Sequence, residues 1–223
     1  MKMTKARRLQ KVWIDQPTAV SSLDTDGEDY HILANAAKLI SNIKGLTCEI
    51  GVRAGGSSKI IIDAIMASKP IAIRTHIAID PYGDLDYEYN DDEIIEKAYS
   101  DKLRDIAIPA LYRYCVGSKV NFLFFQMTDT QFFTRFGDGV PIYINGKEYI
   151  TNVYAFVYFD GPHTTKATLT EMMFFEQKTV PGSIFVFDDV TFYNHDKLQK
   201  ILLAKNWKVL EETEHKISYV KIK

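Results

Sequence analysis

Asp160 is followed three positions later by His163 in the run FDGPH, and Asp188 and Asp189 close the run SIFVFDD. Both runs are apolar up to the acid, as strands buried on both faces should be. Such strands, if neighbours, bring three carboxylates to one cleft, where they repel unless protons or cations intervene. A hard divalent ion relieves that repulsion. Mg²⁺ is the usual choice when waters or substrate oxygens complete its shell, and Mn²⁺ or Ca²⁺ would do similar work. A neutral imidazole at His163 could then take a proton from a hydroxyl, which a metal makes easier to remove. The plainer alternatives are that one aspartate of the pair caps the next helix and that the histidine is structural. His195, next to Asn194, is a secondary candidate for the same cleft; His31, His76 and His215 have no comparable surroundings.

A second stretch, LTCEIGVRAGGSS at 46–58, reads as a strand, a tight turn and a helix start. Gly51, Gly55 and Gly56 allow a sharp turn and a close approach to a ligand, because no Cβ stands in the way. Ser57 and Ser58 lie where hydroxyls meet free helix N–H groups. The spacing matches neither the G-x-G-x-x-G fingerprint nor a P-loop, so the turn alone is also consistent with an ordinary strand–helix connection. Asp80 lies 25 positions after Gly55, at the end of the next β-rich run. A carboxylate there can accept from both hydroxyls of a ribose, or simply open an Asp-Pro turn. Asp129 follows the apolar run at 119–126 and is either a helix N-cap or a contact to the ligand's base, the cap being preferred.

These residues need a frame. Residues 28–44 carry a helical apolar stripe ended by Gly45. After the glycine turn come a helix to about residue 67, a strand at 71–79, an acidic aromatic loop at 84–92, and a helix over 93–115 broken near Pro109. The loop is read as an exposed connector, with a flap over the site as the functional alternative. Asn145-Gly146 between alternating residues signals a hairpin insertion at about 140–152. It would shape the substrate mouth or a subunit contact. Strand–helix units continue to a terminal strand pair at 207–211 and 216–221. Alternation of this kind predicts a parallel α/β sheet with helices on both faces, and ligands then bind beyond the strand C-termini. The glycine turn and every candidate aspartate fall at those ends.

The 223 residues suit one domain, 28–223, preceded by an N-terminal arm at 1–27 that Trp13 and Ile14 would anchor. A net charge of −2 argues against a primary role on nucleic acid. The basic start lacks the apolar core of a signal peptide, and no run is long enough to span a membrane. Cys48 and Cys115 lack metal or disulfide spacing and read as buried small hydrophobes, consistent with a reducing cytoplasm.

Together EIGVRAGGSS (49–58), IDPYG (79–83), FDGPH (159–163) and PGSIFVFDD (181–189) resemble class I S-adenosylmethionine-dependent methyltransferases, and among them the metal-dependent O-methyltransferases of the macrocin type. The resemblance implies a Rossmann-like, doubly wound sheet of seven strands, mostly parallel with an antiparallel last strand. It implies that Glu49, Gly51 and the turn of Gly55, Gly56 and Ser57 hold the cofactor's methionine end, and that Asp80 holds its ribose. Arg53, in the turn, is expected to contact the cofactor or a partner subunit, and Asp160, with Asp129 where it is not a cap, is expected to complete the cofactor's surroundings. The resemblance further implies that Asp160, Asp188 and Asp189 hold Mg²⁺ and that His163 is the general base. The expected activity is methyl transfer to a hydroxyl of a small molecule, a sugar or a vicinal diol. A cofactor-binding relative without transferase activity is the first alternative, and a nicotinamide-dependent oxidoreductase the second. A homodimer is the expectation from base rates. Pro162 departs from the family pattern, in which an acidic residue is common at that place.

Overall fold

The computed structural model describes residues 8–10, 23–70 and 72–223, with side chains described for all of these except 8–10 and 96–98. Trp13 and Ile14 lie outside the described residues. In chain order the strands are β1 (Arg8–Gln10), β2 (Leu46–Ile50), β3 (Arg74–Ile79), β4 (Leu85–Glu88), β5 (Glu93–Tyr99), β6 (Val120–Phe125), β7 (Val140–Ile144), β8 (Lys147–Thr151), β9 (Tyr154–Phe159), β10 (Thr179–Phe187), β11 (Trp207–Glu212) and β12 (Ile217–Lys221). The helices are α1 (Tyr30–Leu39), α2 (Gly56–Ala67), α3 (Asp101–Cys115), α4 (Asp129–Phe136), α5 (Thr165–Glu176) and α6 (His195–Ala204).

The main sheet has seven strands in the order β11-β12-β10-β9-β2-β3-β6. Strands β6, β3, β2, β9 and β10 run parallel, and β12 lies antiparallel between β10 and β11. Strands β2 and β9 are buried along their whole length, as a strand covered by helices on both faces must be. Two apolar clusters flank the sheet. One gathers α1, α2 and α3 around residues such as Ile32, Ile61 and Leu111; the other gathers α4, α5 and α6 around Phe132, Phe175 and Leu198.

Sheet register sets the site. Ile50 pairs with both Ile79 and Phe159, Ile79 with Phe125, and Phe159 with Phe187. The residues just beyond therefore form a row: Gly51, Asp80, Asp160 and Asp188. Each ties back by its amide, Asp160 N to the Ile50 carbonyl (3.0 Å) and Asp188 N to the Phe159 carbonyl (3.0 Å). Strand order reverses at β2 and β9, the switch point where such sheets bind ligands.

Four features differ from the expectation or from its stated alternatives. Residues 84–92 do not form a loop leading into a helix over 93–115; β4 and β5 make an antiparallel hairpin, β1 pairs parallel with β5, and the helix begins at Asp101. Pro109 sits inside α3 without ending it. Asp129 is not the cap of α4: Thr128 is, in a capping box with Gln131. Neither Asp188 nor Asp189 caps α6 either, since Asn194 does. The Asn145-Gly146 hairpin is present as β7–β8, both turn residues having positive φ as a two-residue hairpin turn demands. No helix among the described residues is long and apolar enough to cross a membrane. Both cysteines are free and buried, and burial raises both thiols above their ordinary range, Cys115 to about 11.

Candidate active site

A cavity of about 670 Å³ opens at the C-terminal ends of β2, β3, β9 and β10, within the size range of small-molecule sites. Gly51, Arg53, Gly56, Ser57, Asp80, Asp129, Asp160, His163, Asp188 and Asp189 all line it. Two expected cofactor residues, Glu49 and Gly55, do not. The Glu49 carboxylate is fully buried on β2, accepts a short hydrogen bond from the Ser58 hydroxyl, and leaves Oε1 without a partner. Gly55 packs under the Leu23 and Leu111 side chains with φ at +82°.

The glycines serve the chain's own backbone. A Cβ at Gly51 would collide with the Asp160 carbonyl, and one at Gly56 with the Asp24 carbonyl. Gly51 thus lets the ends of β2 and β9 close on each other, and Gly56 lets residues 24–25 cross the helix start. Arg53 is drawn to the same crossing segment, its Nε 2.8 Å from Asp26 Oδ2.

Asp80 holds the turn from the side. Its Oδ2 accepts from Val52 N (2.9 Å) and Arg53 N (3.2 Å), and Oδ1 accepts from Tyr82 N (2.8 Å). Burial pushes its carboxyl up to about 6 despite these amides. Oδ1, with one amide on it, keeps a second acceptor position, and Asp80 lines the cavity. Burial raises the Asp129 carboxyl, and burial with the Asp129 charge beside it holds the Glu171 carboxyl well above its usual range.

His163 is almost fully buried in the cavity wall. Its amide donates to the Glu88 carbonyl (3.2 Å), which ties it to the β4–β5 hairpin. The Tyr87 hydroxyl donates to the Gly161 carbonyl (2.6 Å) and lies 3.0 Å from His163 Nδ1. The single phenolic proton being used, Nδ1 is the donor in the second contact. That assigns the proton to Nδ1 and leaves a lone pair on Nε2, which is buried without a hydrogen-bond partner, 3.6 Å from Asp160 Oδ1. Burial lowers the imidazole to about 4, so it is neutral at neutral pH. Burial, and then the Asp188 charge, raises the Asp160 carboxyl well above the carboxylate range.

His195 does not reach the cavity. Its Nε2 meets the Tyr219 hydroxyl at 2.8 Å inside the second cluster. His215, given no role by the sequence, does line the cavity and lies 3.7 Å from Glu28 Oε2. The β7–β8 hairpin contributes no lining residue, whereas β4–β5 contributes Leu85, Tyr87, Glu88, Ile95 and Tyr99.

Asp188 is committed elsewhere than to a shared metal. Its Oδ1 takes the Lys216 ammonium at 2.5 Å and Asp189 N at 2.8 Å, and its Oδ2 takes the Tyr158 hydroxyl. Among the described residues no group of three histidine, cysteine, aspartate or glutamate side chains is disposed to hold a metal ion. The oxygen donors suit Mg²⁺ in kind, but with a lysine ammonium on Asp188 their arrangement does not fit the expected shell.

The sheet order, the antiparallel β12 and the glycine turn define the class I methyltransferase fold. Solved structures bear this out. The chain is similar to CalS11, a calicheamicin methyltransferase described as a TDP-rhamnose 3'-O-methyltransferase, at TM-score 0.58 and 15% identity over 86% of this chain and 78% of that one. It is also similar to the O-methyltransferase TomG from Streptomyces achromogenes, solved with S-adenosylmethionine (0.57; 12%; 90% and 82%). A third is an O-methyltransferase from Bacillus cereus solved with S-adenosylhomocysteine (0.54; 12%; 89% and 83%). No protein-family model and no curated sequence matches.

Proposed function

We propose that this chain is an S-adenosylmethionine-dependent O-methyltransferase for an uncharged small-molecule hydroxyl, a sugar first and a vicinal diol second. One observation carries the reading. An unprotonated, unpartnered imidazole nitrogen, His163 Nε2, is buried in the wall of a strand-end cavity on this fold. The cofactor supplies a methyl group on a positively charged sulfur. The cavity favours such a charge, since its many carboxylates face a single lining guanidinium, Arg53. The same lining disfavours a diphosphate-bearing acceptor of the kind CalS11 uses.

In this reading the cofactor's methionine end lies along Gly51, Arg53 and Ser57, and its ribose meets the free acceptor position on Asp80. His163 Nε2 takes the acceptor's proton as its oxygen bonds to the methyl carbon. Bound there, S-adenosylmethionine would supply the methyl group, its sulfur keeping the electron pair of the carbon–sulfur bond and leaving as a neutral thioether. Much of the rate comes from holding the two partners in line.

Calorimetry with S-adenosylmethionine, followed by an acceptor screen with His163→Ala as control, tests the proposal. Binding, turnover, and loss of turnover with binding kept in the variant are expected. Binding without transfer to any acceptor would favour a non-catalytic cofactor-binding protein. Binding of NADH in its place would point to an oxidoreductase.

A further inference from the structure

We propose that Lys216 is the built-in cation of this site, doing for the strand-end aspartates what a divalent metal would otherwise do. Lys216 stands just ahead of β12 and is 1% exposed. A lysine is almost never buried so completely unless it is paired. Its Nζ lies 2.5 Å from Asp188 Oδ1 and 4.5 Å above the Tyr30 ring.

The pairing is directional. Asp188 spends Oδ1 on the ammonium and the Asp189 amide, and Oδ2 on the Tyr158 hydroxyl. Both oxygens are then turned to fixed protein donors. A metal shared among Asp160, Asp188 and Asp189 would have to displace the ammonium or bind beside it. Displacement strands a buried positive charge without its partner, which is strongly unfavourable. Binding alongside sets a dication close to a monocation. Lys216 also acts on the neighbours: its charge opposes the upward shift of both the Asp160 and the Asp189 carboxyls. Asp160, Asp188 and Asp189 are therefore compatible in one wall with one ammonium and bound protons.

The inference concerns the cavity assigned above, but its test uses no methyl transfer, so either reading can fail alone. Metal-stripped full-length protein is titrated with Mg²⁺ and with Mn²⁺ by calorimetry. Wild type is expected to give no saturable heat, and its affinity for S-adenosylmethionine is expected to be unchanged by EDTA. In Lys216→Met the carboxylates lose their partner, and Mg²⁺ is expected to bind at least about tenfold tighter than to wild type, ~1.4 kcal/mol. Stoichiometric Mg²⁺ binding by wild type, abolished in Asp188→Asn, would overturn the inference. So would a folded Lys216→Met chain that ignores Mg²⁺. If that variant does not fold, the wild-type titration decides.

Discussion

At the scale of single residues, the tautomer of His163 is the feature on which the chemistry turns. The Tyr87 hydroxyl is spent on the Gly161 carbonyl, so its oxygen receives Nδ1–H and the base lone pair is confined to Nε2. Tyr87 is thus a positioning residue. Tyr87→Phe removes the acceptor and frees the ring to place its proton on either nitrogen. Turnover is expected to drop about tenfold to a hundredfold, part of the about 10²–10⁴ that a general base contributes, while S-adenosylmethionine affinity stays the same. Nitrogen NMR of His163 should show the single tautomer give way to a mixture; a single tautomer in Tyr87→Phe would refute the assignment. The aspartates of the cavity could be read from the sequence because each ends an apolar run, and parallel strands in register end side by side. Lys216 and Tyr87 could not. A lysine opening a terminal strand is ordinarily exposed, and nothing local shows that β12 turns this one inward beside Asp188.

At the scale of elements, the β4–β5 hairpin covers the site and is held at its tip. Asp91 accepts from Thr165 N (2.8 Å) and from the Thr165 hydroxyl (2.7 Å), at the first residue of α5. Tyr89 packs on Phe192 with ring centroids 5.0 Å apart. None of residues 85–95 is fully buried, so the hairpin should be the part of the site that opens most easily. Asp91→Ala is expected to speed amide exchange across 85–99 about fivefold or more, a local change of ~1 kcal/mol, with β2 and β9 unaffected. Equal exchange in variant and wild type would mean that the Asp91 contacts do not hold the cover. This hairpin escaped the sequence reading for a physical reason. Its strands, LDYE and EIIEKAY, are rich in residues that strands usually avoid, and its third strand, β1, is far off in the chain. The Asn-Gly hairpin was legible because its turn chemistry is local. Pro109 misled in the other direction, because α3 continues through it.

At the scale of the whole molecule, the order of apolar runs and helical stripes was enough to anticipate a parallel sheet with sites at its strand ends. It could not show that residues 24–25 cross the glycine turn, because that contact joins segments with no pattern in common. The buried titratable groups also act on the molecule as a whole, through its stability. His195 lies in the second cluster, away from the cavity, and burial lowers its imidazole to about 4. A base depressed on folding adds stability that is complete above its unfolded value of about 6.5 and is lost as pH falls through the folded value. Asp80, raised to about 6, works in the opposite sense: its contribution is complete below the unfolded carboxylate value and is lost as pH rises through about 6. The two slopes oppose each other between about pH 4 and 6, so wild-type stability should change little over that span on their account. His195→Phe keeps a ring against Phe187 and Tyr193, whose centroids lie 5.2 and 5.7 Å from that of the imidazole, and removes one slope. Urea unfolding at about pH 7 and about pH 4.5 should show wild type losing about 2 kcal/mol more than the variant between the two conditions. Equal losses would mean that His195 titrates in the folded chain as it does in the unfolded one, and that its burial leaves its charge uncontested.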